Sequence, residues 1–101
     1  MTSEESTSGP RTELTESRQA IEEIDRRIIA LLAERLVLGE RAGELKRAAG
    51  LPILDAPREA EVIRRAVSTA RELHLPTEPV REIFWRIVGM SRRLQEGDES
   101  R

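Results

Sequence analysis

The chain has 101 residues, 36% of them charged, with 17 Lys and Arg against 19 Asp and Glu for a formal net charge of −2. That length holds one domain at most, and the near-balanced charge argues against nucleic acid as the main partner, which demands a net basic face. The absence of cysteine and the single histidine, His74, exclude a disulfide framework, a thiolate metal site and a multi-histidine zinc site within one chain.

No stretch is apolar for long enough to span a membrane. The start, Met1 to Pro10, is polar and acidic and lacks the basic and apolar regions of a signal peptide, so the expected location is cytoplasmic. Residues 1–12 are rich in Ser, Thr, Glu, Gly and Pro and read as a disordered tail. Residues 13–96 form the expected domain, and the charged residues 97–101 a frayed end.

The first helix is expected to begin near Thr12 to Thr15, either of which is an acceptable cap, with Glu13 and Glu16 at the positive end of its dipole. Its apolar positions Ile21, Ile24, Ile28, Leu31, Leu32, Leu38, Ala42, Leu45 and Ala49 step by three and four. Ile29, Leu36 and Val37 widen that stripe, which implies packing on more than one side. Gly39 and Gly43 weaken the helix by up to about 1 kcal/mol each but let a backbone or ligand come close. Gly50 and Pro52 end it. A helix of about 35 residues is a rod of roughly 52 Å. A compact domain of this size has a radius of gyration of only about 13 Å. The overhanging apolar surface needs a cover, and the simplest is the same helix of a second chain in a two-fold dimer.

Within this rod, Arg35 sits in an oily neighbourhood and Lys46 follows eleven residues later. Three helical turns separate them, so they share one face roughly 20° and 16 Å apart. Cations on helices are ordinarily solvated and loosely paired; the apolar neighbours of Arg35 make an anion site the alternative. Arg18 lies about 26 Å from Arg35 along the rod and roughly 100° round it, out of reach of that face in its own chain. It is either a surface arginine or a contribution to the other chain's site.

Asp55 is a cap candidate for a second helix over about Ala56 to Glu72, with Pro57 in its first turn. Glu59 suits the dipole there, whereas Arg58 is a cation at a positive helix end and hints at an anion or carboxylate partner. Leu73 to Pro76 ends this helix. His74 there is an imidazole near the negative dipole end and takes no catalytic role. Thr77 is the expected cap of a third helix, whose apolar face is Val80, Ile83, Phe84, Ile87, Val88 and Leu94. Ser91 and Gln95, four apart, share a face of it. Trp85 reads as packing or dimer surface. No strand or internal repeat is evident, so the fold class is all-α.

Taken together these residues resemble the all-helical class of chorismate mutase, the AroQ type (type II). The carriers are Arg18 in Ser-Arg-Gln-Ala-Ile-Glu-Glu-Ile-Asp, Leu-Leu-Ala-Glu-Arg35, Gly43-Glu-Leu-Lys46, Pro-Ile-Leu-Asp55-Ala-Pro-Arg58-Glu59 and Ser91-Arg-Arg-Leu-Gln95. The likeness covers roughly residues 14 to 96. It implies three helices per subunit, an intertwined homodimer with sites shared between chains, and conversion of chorismate to prephenate in phenylalanine and tyrosine biosynthesis, without cofactor or metal. In that pattern Arg35 and the other chain's Arg18 take the two substrate carboxylates and Ser91 adds a hydroxyl donor. Lys46 and Gln95 bracket the ether oxygen. Glu59 takes the ring hydroxyl, with Asp55 nearby through backbone, and Arg58 balances this acidic pair and sits against the substrate. Some relatives are fused to, or activated by, another enzyme of the pathway. Gln95 lies so near the chain end that fraying would weaken turnover. The rival readings are an isochorismate-pyruvate lyase on the same fold and a non-catalytic helical interaction module.

Overall fold

The structure, a computed structural model, describes residues 9–97. Among them are three α-helices and no strand: α1 (Pro10–Ala48), α2 (Ala56–Glu72) and α3 (Thr77–Gln95). None of these helices is long and apolar enough to cross a membrane. The chain divides within α1 into two units, one up to Arg35 and one from Leu36 onward.

In the first unit α1 starts at Pro10, ahead of the expected Thr12 to Thr15, so residues 10–12 of the expected tail are helical. Residues 1–8 of that expected tail lie outside the described residues. The reason for the early start is local. The Gly9 carbonyl accepts the first helical bond from Glu13 N–H at 3.1 Å. Pro10 then sits at the first helical position, where its missing N–H costs nothing and its φ is already helical. Thr15, a cap candidate by sequence, instead donates its hydroxyl to the Arg11 carbonyl one turn back at 3.1 Å. Six large apolar side chains of this unit, Leu14, Ile21, Ile24, Ile28, Ile29 and Leu31, are exposed, and Leu32 is half-buried.

In the second unit, the end of α1 is closed by Gly50 at φ 71°, with Leu51 N–H donating to the Lys46 carbonyl at 2.8 Å and Gly50 N–H to Arg47 at 3.1 Å. This is a Schellman closure, and it needs a left-handed residue at Gly50. The same pair of bonds ends α2, Leu75 N–H to Ala70 at 2.8 Å and His74 N–H to Arg71 at 3.1 Å. There the left-handed residue is His74, at φ 60°. The histidine that the sequence left without a task therefore occupies a turn position that glycine usually fills.

Asp55 caps α2 as its position implied, accepting the Arg58 N–H on its carboxylate at 3.1 Å. The expected Thr77 cap is not formed. Pro76 stands in the cap position in an extended conformation, without a side-chain cap bond, and Thr77 is the first helical residue. The locked φ of Pro76 supplies the entry direction that a capping side chain would otherwise stabilise. After α3, Gly97 has φ 81°; residues 98–101 of the expected frayed end lie outside the described residues.

α2 and α3 form an antiparallel hairpin whose core is Ile63, Val67 and Val88, with Val62 and Phe84 packed against it and Ala70 also buried. Ile83 was assigned to the inward stripe of α3 but is exposed, as is Trp85. This hairpin presents the last two turns of α3 to the end of α1.

Candidate functional site

The polar cluster of the second unit forms where the end of α1 meets the end of α3. Lys46, half-buried in the last turn of α1, donates from Nζ to the Ile53 carbonyl at 2.8 Å and to Gln95 Oε1 at 3.1 Å. Gln95 Nε2 donates to the Gly39 carbonyl at 2.9 Å. These partners settle which end of the amide is which, since an ammonium only donates and a carbonyl only accepts. The Arg47 guanidinium donates to the backbone carbonyl of Gln95, satisfying a carbonyl that the helix end leaves open. Gln95 is consequently 8% exposed although it is the last residue of its helix. The expected fraying at this position is not observed, because three bonds from α1 tie it down.

Two of the three Lys46 protons and one of the two Gln95 amide protons have partners in this arrangement. Among the described residues, one N–H on each group has no partner. Each donor is held by a backbone carbonyl, Ile53 for Lys46 and Gly39 for Gln95, and the two side chains also hold each other, so their directions are set before anything binds.

Gly39 and Gly43 make this close approach possible. A Cβ on Gly39 would collide with Ser91 Oγ. One on Gly43 would lie 2.9 Å from Gln95 Cγ and 3.0 Å from its Cβ. Ser91 and Gln95, each 8% exposed, thus pack directly against the backbone of α1. The close atoms of Gln95 sit next to its backbone, so α3 itself would have to move. Gly43→Ala is therefore expected to destabilise the fold by about 1–2 kcal/mol, despite the better helix propensity of alanine. Urea unfolding measures this, and a variant as stable as wild type would show that the close approach is unnecessary.

At the start of α2 the structure departs from the expected arrangement. Arg58 does not turn towards Asp55 and Glu59. Its guanidinium bonds Glu61, one turn on, at 2.6 Å, and its side chain is 54% exposed. That bond, with the charge of Arg65 nearby, holds the Glu61 carboxyl below its usual pKa. The cation at the positive helix end is thus explained by a surface pair, worth little in stability. Glu59 is paired instead with Arg92 of α3, whose Nη1 lies 3.2 Å from Oε1 and 3.4 Å from Oε2. Asp55 is engaged as the cap. Arg18 and Arg35 belong to the first unit, Arg18 exposed and Arg35 half-buried.

A family model described as chorismate mutase type II matches residues 17–96. The chain belongs to the type II chorismate mutase family. It is 32% identical over 83 residues to the chorismate mutase of Methanocaldococcus jannaschii, covering 82% of this chain and 84% of that protein. It is 34% identical over 87 residues to the bifunctional chorismate mutase/prephenate dehydratase of Aquifex aeolicus, covering 83% of this chain but 24% of that protein. It is also 34% identical over 76 residues to the T-protein of Enterobacter agglomerans, covering 75% of this chain and 20% of that protein. The chain thus spans about a quarter or less of the length of these last two relatives.

Within this member of the chorismate mutase family the fold brings together Lys46, Ser91 and Gln95, and joins Glu59 to Arg92. Arg92 was not singled out from the sequence. A signal was present, since it stands three residues before Gln95, close to one helical turn, and so lies on a neighbouring face of α3. It was obscured by Arg93 beside it, because a pair of arginines near a helix C-terminus already has a sufficient dipole explanation.

Proposed function

We propose that this protein converts chorismate to prephenate at the Lys46–Gln95 cluster. The observation that carries the proposal is the 3.1 Å contact between two groups 49 residues apart in the chain, in a member of the type II chorismate mutase family. The reaction is a [3,3] rearrangement that breaks a C–O bond and forms a C–C bond within one molecule. It needs no nucleophile and no proton transfer. A protein accelerates it by holding the compact conformer and by stabilising the charge that develops on the ether oxygen.

The unpartnered N–H of Lys46 and that of Gln95 are suited to this oxygen. One carries a full charge and the other is neutral, and both are fixed in place, so little reorganisation is needed as the bond breaks. The substrate carries two carboxylates, which arginine recognises with a planar pair of donors. By the family resemblance these are taken by Arg35 and by Arg18 of the partner subunit, with Ser91 donating its hydroxyl and Glu59 accepting from the ring hydroxyl. A homodimer is supported by the six large apolar side chains exposed on the first unit. An uncovered stripe of that kind is the signature of an interface between copies.

The test is to add chorismate to the purified protein, follow its loss by absorbance and identify the product. Prephenate is expected. Salicylate with pyruvate would instead assign the lyase reaction, and no turnover at any protein concentration would overturn the proposal.

A further inference from the structure

The chemistry at Glu59 is incomplete without its neighbour. If Glu59 accepts from the ring hydroxyl of a dianionic substrate, its carboxylate adds a third negative charge to the same small site. A like charge so placed opposes binding unless a cation compensates it. Arg58, the neighbour that the sequence suggested for this task, is bonded to Glu61 and largely exposed. The cation that faces Glu59 is Arg92, reaching across from α3 to both carboxylate oxygens at 3.2 and 3.4 Å. Glu59 is 15% exposed at its side chain and Arg92 32%, so this pair is better shielded than the Arg58–Glu61 pair, at 54% and 42%.

We propose that Arg92 is the positioning residue of this site: it neutralises Glu59 and fixes the orientation of its carboxylate, so that a dianion can enter and its ring hydroxyl can donate to Glu59. The inference rests on the chorismate reading above. A single Nη1 shared between both oxygens leaves a lone pair free on each, so Arg92 and a hydroxyl donor are served together. A guanidinium suits this role because it stays protonated at any working pH.

The experiment is steady-state kinetics on Arg92→Met, Arg92→Lys and Glu59→Gln, the Arg92→Met/Glu59→Gln double variant, and Arg93→Met as the neighbouring control. Arg92→Met is expected to raise KM for chorismate by about tenfold or more while kcat changes by less than about threefold, because the repulsion acts on the bound ground state and the transition state alike. Arg92→Lys should recover most of the loss, since it restores the charge. In the Glu59→Gln background Arg92→Met should no longer raise KM, because the charge it compensates is gone. Arg93→Met should match wild type. A purely structural role would lower the active fraction, and so the apparent kcat, with KM unchanged. Wild-type turnover with an unchanged KM in Arg92→Met, or the same KM rise with and without Glu59, overturns this inference alone. A wild-type protein that does not turn over chorismate overturns the functional reading, and this inference with it.

Discussion

Replacing Lys46 by methionine is expected to lower kcat by about 10²–10³-fold, the usual loss when one preorganised donor to a developing oxyanion is removed. Methionine keeps the length and apolar stem of lysine and removes only the ammonium. Its loss frees the Ile53 carbonyl and Gln95 Oε1 from their donor, in a half-buried setting. That costs about 1 kcal/mol of stability, small beside the effect on rate. Denaturant unfolding measured beside the kinetics separates the two contributions. Lys46→Arg is the sharper comparison. It keeps the charge but replaces a compact ammonium by a planar fork, which the 2.8 and 3.1 Å contacts do not accommodate without displacing Gln95. A Lys46→Met protein within about tenfold of the wild-type kcat would place the breaking bond elsewhere.

The second large effect is a gain. Arg18→Ala and Lys46→Ala proteins are each expected to be nearly inactive alone. Mixed under conditions that exchange subunits, they should recover activity. If each site takes Arg18 from one chain and Lys46 from the other, a mixed dimer holds one intact site and one doubly damaged site. Random pairing of equal amounts makes half the dimers mixed, so about one quarter of wild-type activity should return. Mass measurement of the native species confirms that mixed dimers form. If they form and no activity returns, Arg18 does not act across an interface. The prediction does not depend on the details of the chemistry. It depends on Arg18 acting on the other chain's site, and on the exposed stripe from Leu14 to Leu31 being covered by a second copy.

These two variants also mark how far the sequence reaches. Lys46 and Gln95 were linked in the sequence only because each occupies a place in a recognisable family pattern. Neither residue type nor helical spacing would have joined them, since they stand on different helices. The glycines at positions 39 and 43 were legible as places of close approach. That Ser91 and Gln95 are what approaches them was not, because it depends on how α3 crosses α1.

Arg58 gives the contrary case. A cation in the first turn of a helix looked out of place, and a site near Asp55 and Glu59 gave it a reason. The structure gives it a nearer one, Glu61 at i+3, a spacing that was present in the sequence and was passed over. Thr15 is similar. Its residue type fits a cap, but the hydroxyl bonds backwards into a helix that Gly9 and Pro10 have already started.

Besides the family, which is carried by a pattern spread over the whole domain, what the sequence by itself determined is whatever is written within about one helical turn: the three helices, the Asp55 cap, the Gly50 closure and the all-α class. Such features depend on bonds between residues three to five apart, and those are set by local residue types. What only the tertiary structure decided are contacts made across the helix crossings. Gln95 reaches Gly39 over 56 residues of chain, Lys46 reaches Gln95 over 49, and Arg92 reaches Glu59 over 33. Each needs two helices at one distance and one rotation, which the Ile63, Val67 and Val88 core sets for α2 and α3, and the small surface at Gly39 and Gly43 sets for α3 against the end of α1. A helical periodicity says which face turns inward. It does not say which residue of the next helix that face will meet, and for that reason the pairing of Glu59 with Arg92 was not read from the sequence.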